Sequence, residues 1–390
     1  MAAHETGVDR RISPGHGVPG ETSLELFYDL VFAAGIVVLS QSFSNAPTIW
    51  SAVWVVLVFT MIWSLWLRTN LLLHDRGATN NAARALLVLQ MTIILIICVA
   101  GGDQLLDGGT MDRHHVVGPT FALALLTLVA LYRVTTTRDG VNEPPPRRRL
   151  FGYVTVALCF AATPFLPGRF DLVLATVGLA FLLVPNKFFD GYTDKGRFDA
   201  AHVVERFGEF TIIVLGETFV KVGLTALKGG ISRIDVVVLP VAIVLVFSTW
   251  WLYFADVPGA AVDRVSHSVR PWVLAHYPLH LSAVALAIGC AELMLEGGKD
   301  GAGVLRTFAI PLVGVVLSLA LLAWVSGAPH RKKVLVVHGT GAAVLLTVAV
   351  VGSASSVLSL DMTCIAMAVV MLGIVVASRP ATVSAAPPAP

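Results

Sequence analysis

Two pairs of acidic side chains lie in stretches of sequence that are otherwise largely apolar. Glu25 and Asp29 are four residues apart in the string ELFYDLVF, and Glu205 and Glu209 are four residues apart in ERFGEFTI. On a helix this spacing puts the two carboxylates of each pair on one face, one turn apart. An ionised carboxylate at the centre of a bilayer costs about 3 kcal/mol on insertion scales, so such acids usually face a cation or a water-filled cavity.

These acid pairs have a structural and a functional interpretation. As structural residues they would form ion pairs with Arg68, Arg84 or Arg206 and hold helix ends together. As functional residues they would serve as a gate or a relay for protons or cations, because like charges placed one turn apart favour the uptake of positive charge. The sequence leaves both interpretations open.

Glu217 is the strongest candidate for a proton or substrate site. It follows Glu205 by twelve residues, about 18 Å along a helix, which places it near the bilayer midplane. The neighbouring Gly216 permits a close approach of another helix. Lys221, one turn later, offers a local ion pair, but pairing does not remove the cost of burying both charges.

His276 and His280 share a face of one predicted helix. Two imidazoles at this spacing, together with carboxylates, could bind a metal. The sequence contains no HExxH or ExxH motif that would strengthen this hypothesis. We therefore expect hydrogen-bonded helix contacts, or a role in proton transfer or ligand contact, and we predict no metal and no cofactor.

Tryptophans recur near one predicted face of the membrane. Trp250 and Trp251 form one group, and Trp63 and Trp66 form the other. The first interpretation is an interfacial aromatic belt. The alternative is an aromatic-lined cavity for an apolar or cationic ligand.

The composition indicates what must position these residues. Of the 390 residues, 56% are hydrophobic and 13% are charged, against about 25% charged residues in a typical soluble domain. A net charge of +2 gives no reason to expect nucleic acid as a partner. No Walker loop or GxSxG elbow occurs, and no Gly-rich string follows an apolar strand as a dinucleotide fingerprint does. The fold class is therefore an all-α integral membrane protein, with membrane lipids and an unidentified small molecule as its partners.

Twelve apolar stretches reach or approach the length of a transmembrane helix. They lie near residues 24–44, 50–73, 83–101, 116–134, 150–166, 170–185, 202–226, 234–255, 271–294, 304–326, 333–352 and 359–378. The fifth and sixth are short and adjoin a turn at Pro167, so a re-entrant pair is an alternative there. With twelve spans, 20 of the 27 lysines and arginines lie on the side of the termini and 7 on the other. This bias predicts a multi-pass protein of the cytoplasmic membrane with both termini in the cytoplasm.

The sequence also indicates two related halves. ELFYDLVF opens the first span, ERFGEFTI opens the seventh, and tryptophans follow near the end of the next span in each half. Six spans per half predict two parallel six-helix repeats. The predicted segments are a tail (1–22), a first repeat (23–185), a cytoplasmic linker (186–201), a second repeat (202–378) and a disordered tail (379–390).

Polar residues concentrate in spans 1–3 and 7–9, where Asn70, Gln90 and Glu292 join the residues already named. The remaining spans consist almost entirely of Leu, Val, Ala and Gly. We therefore expect a functional centre between spans 1–3 and 7–9.

Three strings resemble the bacterial low temperature requirement A (LtrA) family: ELFYDLVF, HVVERFGEFTIIVLGETFV and STWWLYF. The similarity extends over roughly residues 22–378. The family name implies a link to growth in the cold and implies no reaction or substrate. Glu209 departs from the family pattern, which has an apolar residue there.

The leading hypothesis is a proton-coupled secondary transporter of a small or lipophilic molecule, with Glu217 as the proton or substrate site. The alternatives are a membrane-embedded enzyme acting on a lipid or isoprenoid, and a structural membrane protein for growth at low temperature. The sequence does not fix the oligomeric state and leaves room for an oligomer.

Overall fold

The computed structural model describes twelve ranges of the chain. They are residues 19–45, 48–77, 80–106, 114–135, 147–166, 170–183, 200–229, 233–257, 269–296, 301–327, 330–354 and 358–378. The secondary structure within these ranges is entirely helical, which confirms the predicted all-α membrane fold. Most of the two predicted tails and of the linker lie outside the described residues.

Twelve α-helices follow one another along the described chain. They are α1 (Pro19–Asn45), α2 (Ile49–Arg76), α3 (Asn81–Leu106), α4 (His114–Val134), α5 (Arg147–Ala162), α6 (Phe170–Leu183), α7 (Ala200–Gly229), α8 (Arg233–Asp256), α9 (Val269–Glu296), α10 (Gly301–Ser326), α11 (Arg331–Ala354) and α12 (Leu360–Ser378). Their order and approximate bounds match the twelve predicted spans.

Ten of these described helices are long and apolar enough to cross a membrane. The exceptions are α5 with 16 residues and α6 with 14 residues. At 1.5 Å per residue they measure about 24 Å and 21 Å, less than the roughly 30 Å hydrocarbon core. The turn predicted at Pro167 lies outside the described residues, so the re-entrant alternative for this pair stays a prediction.

Corresponding helices of the first and second six contact the same neighbours. In the first six, α1 packs on α3, α3 on α4, α4 on α5 and α5 on α6, while α2 contacts α1, α3, α4 and α6. In the second six, α7 packs on α9, α9 on α10, α10 on α11 and α11 on α12, while α8 contacts α7, α9, α10 and α12. The two sixes meet where α1 and α2 contact α7 and α9.

Small residues allow neighbouring helices of each six to approach closely. A methyl group added at Gly35 of α1 would lie 2.7 Å from Sγ of Cys98 in α3. A methyl group added at Gly314 of α10 would lie 2.5 Å from Oγ of Ser282 in α9. Such contacts are how helices associate in lipid, where water supplies no hydrophobic driving force between them.

Candidate functional site

Arg206 of α7 lies at the centre of a buried charged cluster where the two sixes meet. Its Nη2 atom is 2.7 Å from Oδ2 of Asp29 in α1, and its Nη1 atom is 2.6 Å from Oε2 of Glu209 one turn along α7. Its Nε atom is 3.6 Å from Oε2 of Glu25. One guanidinium thus faces three carboxylates, because its planar fork presents donors in several directions at once.

Helix α2 completes this cluster with two neutral side chains. Nε1 of Trp66 donates to Oδ1 of Asp29 at 2.8 Å. Nη2 of Arg206 donates to Oδ1 of Asn70 at 3.2 Å. Both oxygens of Asp29, which is completely buried, therefore have a partner. We call Glu25, Asp29, Trp66, Asn70, Arg206 and Glu209 the Arg206 cluster.

The acids at the edge of the Arg206 cluster are placed differently from one another. The Glu209 side chain is 28% exposed, whereas Glu25 is buried and lies 3.8 Å from Nε2 of His202. Glu205 lies at an exposed position of α7, outside the cluster. The structural interpretation of the acid pairs therefore fits three of the four acids, with Arg206 as their shared cation.

An aromatic layer lies beside the Arg206 cluster, farther along α7. The rings of Trp66 and Phe210 stack with centroids 3.9 Å apart, and Phe32 of α1 meets the Phe210 ring edge-on at 5.1 Å. Phe210 also contacts the ring of His280, at 4.8 Å. These rings bring α1, α2, α7 and α9 together.

His280 is hydrogen-bonded at both ring nitrogens. Nε1 of Trp63 lies 3.1 Å from Nδ1 of His280, and an indole N–H can only donate. Nδ1 must therefore accept, and the ring proton belongs on Nε2, which lies 3.0 Å from Oγ1 of Thr211. Thr211 in turn donates to the carbonyl of Phe207 at 2.7 Å. This chain fixes one neutral tautomer of His280.

The neutral ring of His276 carries its proton on Nδ1, and is therefore the opposite tautomer to that of His280. Its Nδ1 atom lies 2.9 Å from the carbonyl oxygen of Trp272, which can only accept. Nε2 must then accept from the hydroxyl of Tyr253 of α8 at 3.0 Å. Both histidines thus connect α9 to other helices. Among the described residues, no group of three or more His, Cys, Asp or Glu side chains could hold a metal ion.

A second charged cluster lies beyond the aromatic layer, where α1, α7 and α9 meet. Glu217 is only 3% exposed, and neither of its carboxylate oxygens has a hydrogen-bond partner among the described residues. The hydroxyl of Ser40 in α1 lies beside this carboxylate but donates to the carbonyl of Val37, and Lys221 one turn later is a neighbouring cation. The charge of Lys221 also interacts with Glu292 of α9. We call Glu217, Ser40, Lys221 and Glu292 the Glu217 cluster.

The two clusters lie at different depths along α7. The apolar span of this helix is Ala200–Lys228, so Arg206 lies about 12 Å before its midpoint and Glu217 about 5 Å after it. Glu217 therefore lies near the middle of this apolar helix. A buried carboxylate without a partner is rare in native proteins and needs an explanation.

Other predicted candidates lie away from both clusters. Arg68 of α2 donates from Nη2 to the carbonyl of Leu182, and its guanidinium lies 5.5 Å from the ring of Tyr153, so it connects α2 to α5 and α6. Trp250 and Trp251 are each more than one-third exposed on α8. Their exposure fits an aromatic belt better than a cavity lining.

The close approach that Gly216 permits is not made by any of the described residues. A methyl group added there would have no atom within 4 Å among the described residues. Gly216 therefore does not bring another helix close to Glu217. Thr218 and Lys221 lie on the buried face of α7, and Lys221 reaches Ser40 of α1.

Sequence reasoning did not assign Trp66 to the Arg206 cluster, Trp63 to His280, or Ser40 to the Glu217 cluster. Trp63, Trp66 and Asn70 recur at positions i, i+3 and i+7 of α2, which is the spacing of one helix face. This periodicity was the available signal for the first two. Ser40 had a weaker one, since it lies in the polar string LSQS at the end of the first span.

Comparison with known proteins identifies relatives of the chain. The sequence model of the family described as Bacterial low temperature requirement A protein (LtrA) matches residues 21–377. An uncharacterized protein of Rhizobium meliloti (strain 1021) is 26% identical over 281 residues. That alignment covers 65% of this chain and 63% of the relative. The family match confirms the resemblance of the three sequence strings.

Proposed function

The chain belongs to the bacterial low temperature requirement A (LtrA) family, and we propose that it is a secondary transporter coupling protons to the movement of a small or lipophilic molecule. The observation that carries this proposal is Glu217. Its carboxylate lies near the middle of a membrane helix, almost completely buried, with no hydrogen-bond partner among the described residues. A group in that position gains most from taking up a proton or a positive ligand.

The arrangement of the helices supports the same proposal. The matching neighbours of the two sixes are what two parallel six-helix repeats would produce, and transporters of this kind place their binding sites near the midplane at the repeat interface. Both charged clusters lie where α1 and α7, the first helices of each six, come together. We propose this repeat, in the cytoplasmic membrane with both termini in the cytoplasm, as the framework of transport.

The aromatic layer supplies the closed barrier that such a mechanism needs. It separates the Arg206 cluster from Glu217 along α7, and its rings are packed tightly around Phe210. A proton held by Glu217 would reach the side of the Arg206 cluster only after these rings moved apart. Glu25, Asp29 and Glu209 would then serve as the gate. We leave Glu205 out of this path because it is exposed.

Proton movement into proteoliposomes tests the proposal. Purified protein is reconstituted around a pH-sensitive dye, a potential is imposed, and a panel of small amphipathic compounds is added one at a time. We expect wild type and the matched control Glu205→Gln to show compound-dependent proton movement that Glu217→Gln abolishes.

Two results would contradict the proposal. One is proton movement in Glu217→Gln equal to that of wild type, with both proteins folded and monodisperse. The other is a change in extracted lipids or metabolites of a host cell that needs no gradient, which would favour the enzyme hypothesis.

A further inference from the structure

The Glu217 cluster presents hydrogen-bond acceptors that the described residues leave open. Both carboxylate oxygens of Glu217 have no donor there. The hydroxyl of the neighbouring Ser40 donates to the carbonyl of Val37 at 3.1 Å, so its oxygen can still accept. The burial of these acceptors makes a ligand that donates hydrogen bonds, or carries positive charge, strongly favourable at this position.

Lys221 shows which donor fits. Its side chain is completely buried, and Nζ lies 3.5 Å from Oγ of Ser40, at the outer limit of a hydrogen bond. Its charge interacts with both Glu217 and Glu292. A primary ammonium group thus already lies at the edge of the cluster without a hydrogen bond to the open oxygens of Glu217.

The charge of the cluster sets the charge of the ligand. With Glu217 and Glu292 ionised and Lys221 protonated, the cluster carries two negative charges and one positive charge. Lys228, whose charge also acts on Lys221, is exposed and lies outside the buried cluster. One additional monovalent cation makes it neutral, whereas an anion would add to an uncompensated buried charge. The favoured ligand is therefore singly positive.

The number of acceptors selects among positive ligands. Calcium takes about six to eight oxygen ligands, and the described residues hold no group of three or more metal-ligating side chains. A bare alkali ion likewise needs its hydration shell replaced by a full set of oxygens. An ammonium group has three N–H donors, which match the two oxygens of Glu217 and the oxygen of Ser40.

We propose that the Glu217 cluster binds the ammonium group of a primary amine, and that Lys221 is a tethered competitor for the same carboxylates. This inference rests on the proposed transport function and names the chemical class of its substrate. When the amine is absent, the Lys221 ammonium supplies the nearest positive charge. When the amine enters, it takes the open oxygens of Glu217 and displaces the Lys221 ammonium from the oxygen of Ser40.

Equilibrium dialysis of radiolabelled ethylamine against the detergent-purified full chain tests this site. We expect saturable binding to wild type that excess ethylammonium displaces and that tetramethylammonium, which has no N–H donor, does not displace. Glu217→Gln weakens binding by about tenfold or more, equivalent to about 1.4 kcal/mol. Glu205→Gln, on the exposed face of the same helix, leaves binding unchanged.

Lys221→Gln is the decisive variant, because competition and structural support predict opposite results. Removing a competing cation strengthens ethylamine binding, by about tenfold for each 1.4 kcal/mol of competition. Removing a lysine that only supports the fold weakens binding or leaves it unchanged. Lys332→Gln, an exposed lysine of α11, serves as the matched control.

Three results would overturn the inference: no saturable binding to folded wild type, equal displacement by tetramethylammonium, or no gain of affinity in Lys221→Gln. Its failure is separable from failure of the transport proposal. If proton movement depends on Glu217 but ethylamine does not bind, only the proposal of an amine ligand is contradicted. If ethylamine binds but proton movement does not depend on Glu217, the transport proposal is contradicted and the amine-binding site stands.

Discussion

The Arg206 cluster and the Glu217 cluster lie on the same helix, are both buried, and satisfy their charges in opposite ways. In the first, Asp29 receives a guanidinium at 2.7 Å and an indole N–H at 2.8 Å. In the second, Glu217 receives no hydrogen bond from the described residues. The nearest cation, Lys221, is directed at a serine hydroxyl.

This difference indicates that the Arg206 cluster contributes to the stability of the fold and the Glu217 cluster to activity. A buried ion pair with good geometry fixes one arrangement of helices, and removing either partner leaves an uncompensated charge. A buried carboxylate without a partner contributes little to that arrangement and much to a site that must bind and release a cation. We therefore expect substitutions in the Arg206 cluster to reduce stability and substitutions at Glu217 to reduce activity.

Loss of the central cation has the largest expected effect. Arg206→Met leaves Asp29 and Glu25 buried without their guanidinium, which costs about 3–5 kcal/mol. Arg206→Lys keeps the charge but not the planar fork, so its loss is intermediate. The measurement is the unfolding midpoint in detergent, followed by circular dichroism, with Lys332→Gln as the control. An unchanged midpoint in Arg206→Met would show that the cluster does not hold the two sixes together.

Removal of one neutral donor has a smaller effect. Trp66→Phe keeps an aromatic ring against Phe210 but removes the N–H that donates to Asp29, which costs about 1.5–3 kcal/mol because the acceptor is charged. Trp250→Phe is the matched control on an exposed face of α8, where we expect a change within about 0.5 kcal/mol. Equal shifts of the unfolding midpoint in both variants would contradict the assigned role of Trp66.

Glu209→Gln has the smallest effect within the Arg206 cluster. The 2.6 Å contact with Arg206 is close, but a side chain that is 28% exposed is screened by solvent, so the loss stays below about 1 kcal/mol. Asp29 and Glu25 still compensate Arg206 in this variant. A loss as large as that of Arg206→Met would mean that Glu209, and not Asp29, is the principal partner of the guanidinium.

The sequence predicted the helices better than the contacts between them. Long apolar stretches identify spans because each needs about 20 apolar residues. All twelve predicted stretches became helices, ten of them of spanning length. The choice among Arg68, Arg84 and Arg206 depended on the rotation of each helix about its axis. Helix α7 directs Arg206 toward Asp29, and helix α2 directs Arg68 toward Tyr153. A single sequence does not specify these rotations.

The candidate site was predictable to a similar degree. The cost of a charge near the midplane identifies Glu217 from its position alone. Whether any described residue donates a hydrogen bond to Glu217 depends on which face of α1 packs against α7. Gly216 illustrates the limit, because a glycine in a membrane helix can mark a close contact and here marks open space.

The most direct test compares the unfolding midpoints of Asp29→Asn and Glu217→Gln with that of wild type, in one detergent and at one pH. The two changes are chemically identical, since each replaces a buried carboxylate by its neutral isostere. We predict a clear decrease for Asp29→Asn, which weakens the attraction to Arg206. We predict an unchanged or increased midpoint for Glu217→Gln, which removes a buried charge that receives no hydrogen bond from the described residues and leaves Lys221 to balance Glu292. A decrease in Glu217→Gln as large as that in Asp29→Asn would contradict the division between a supporting cluster and a working one.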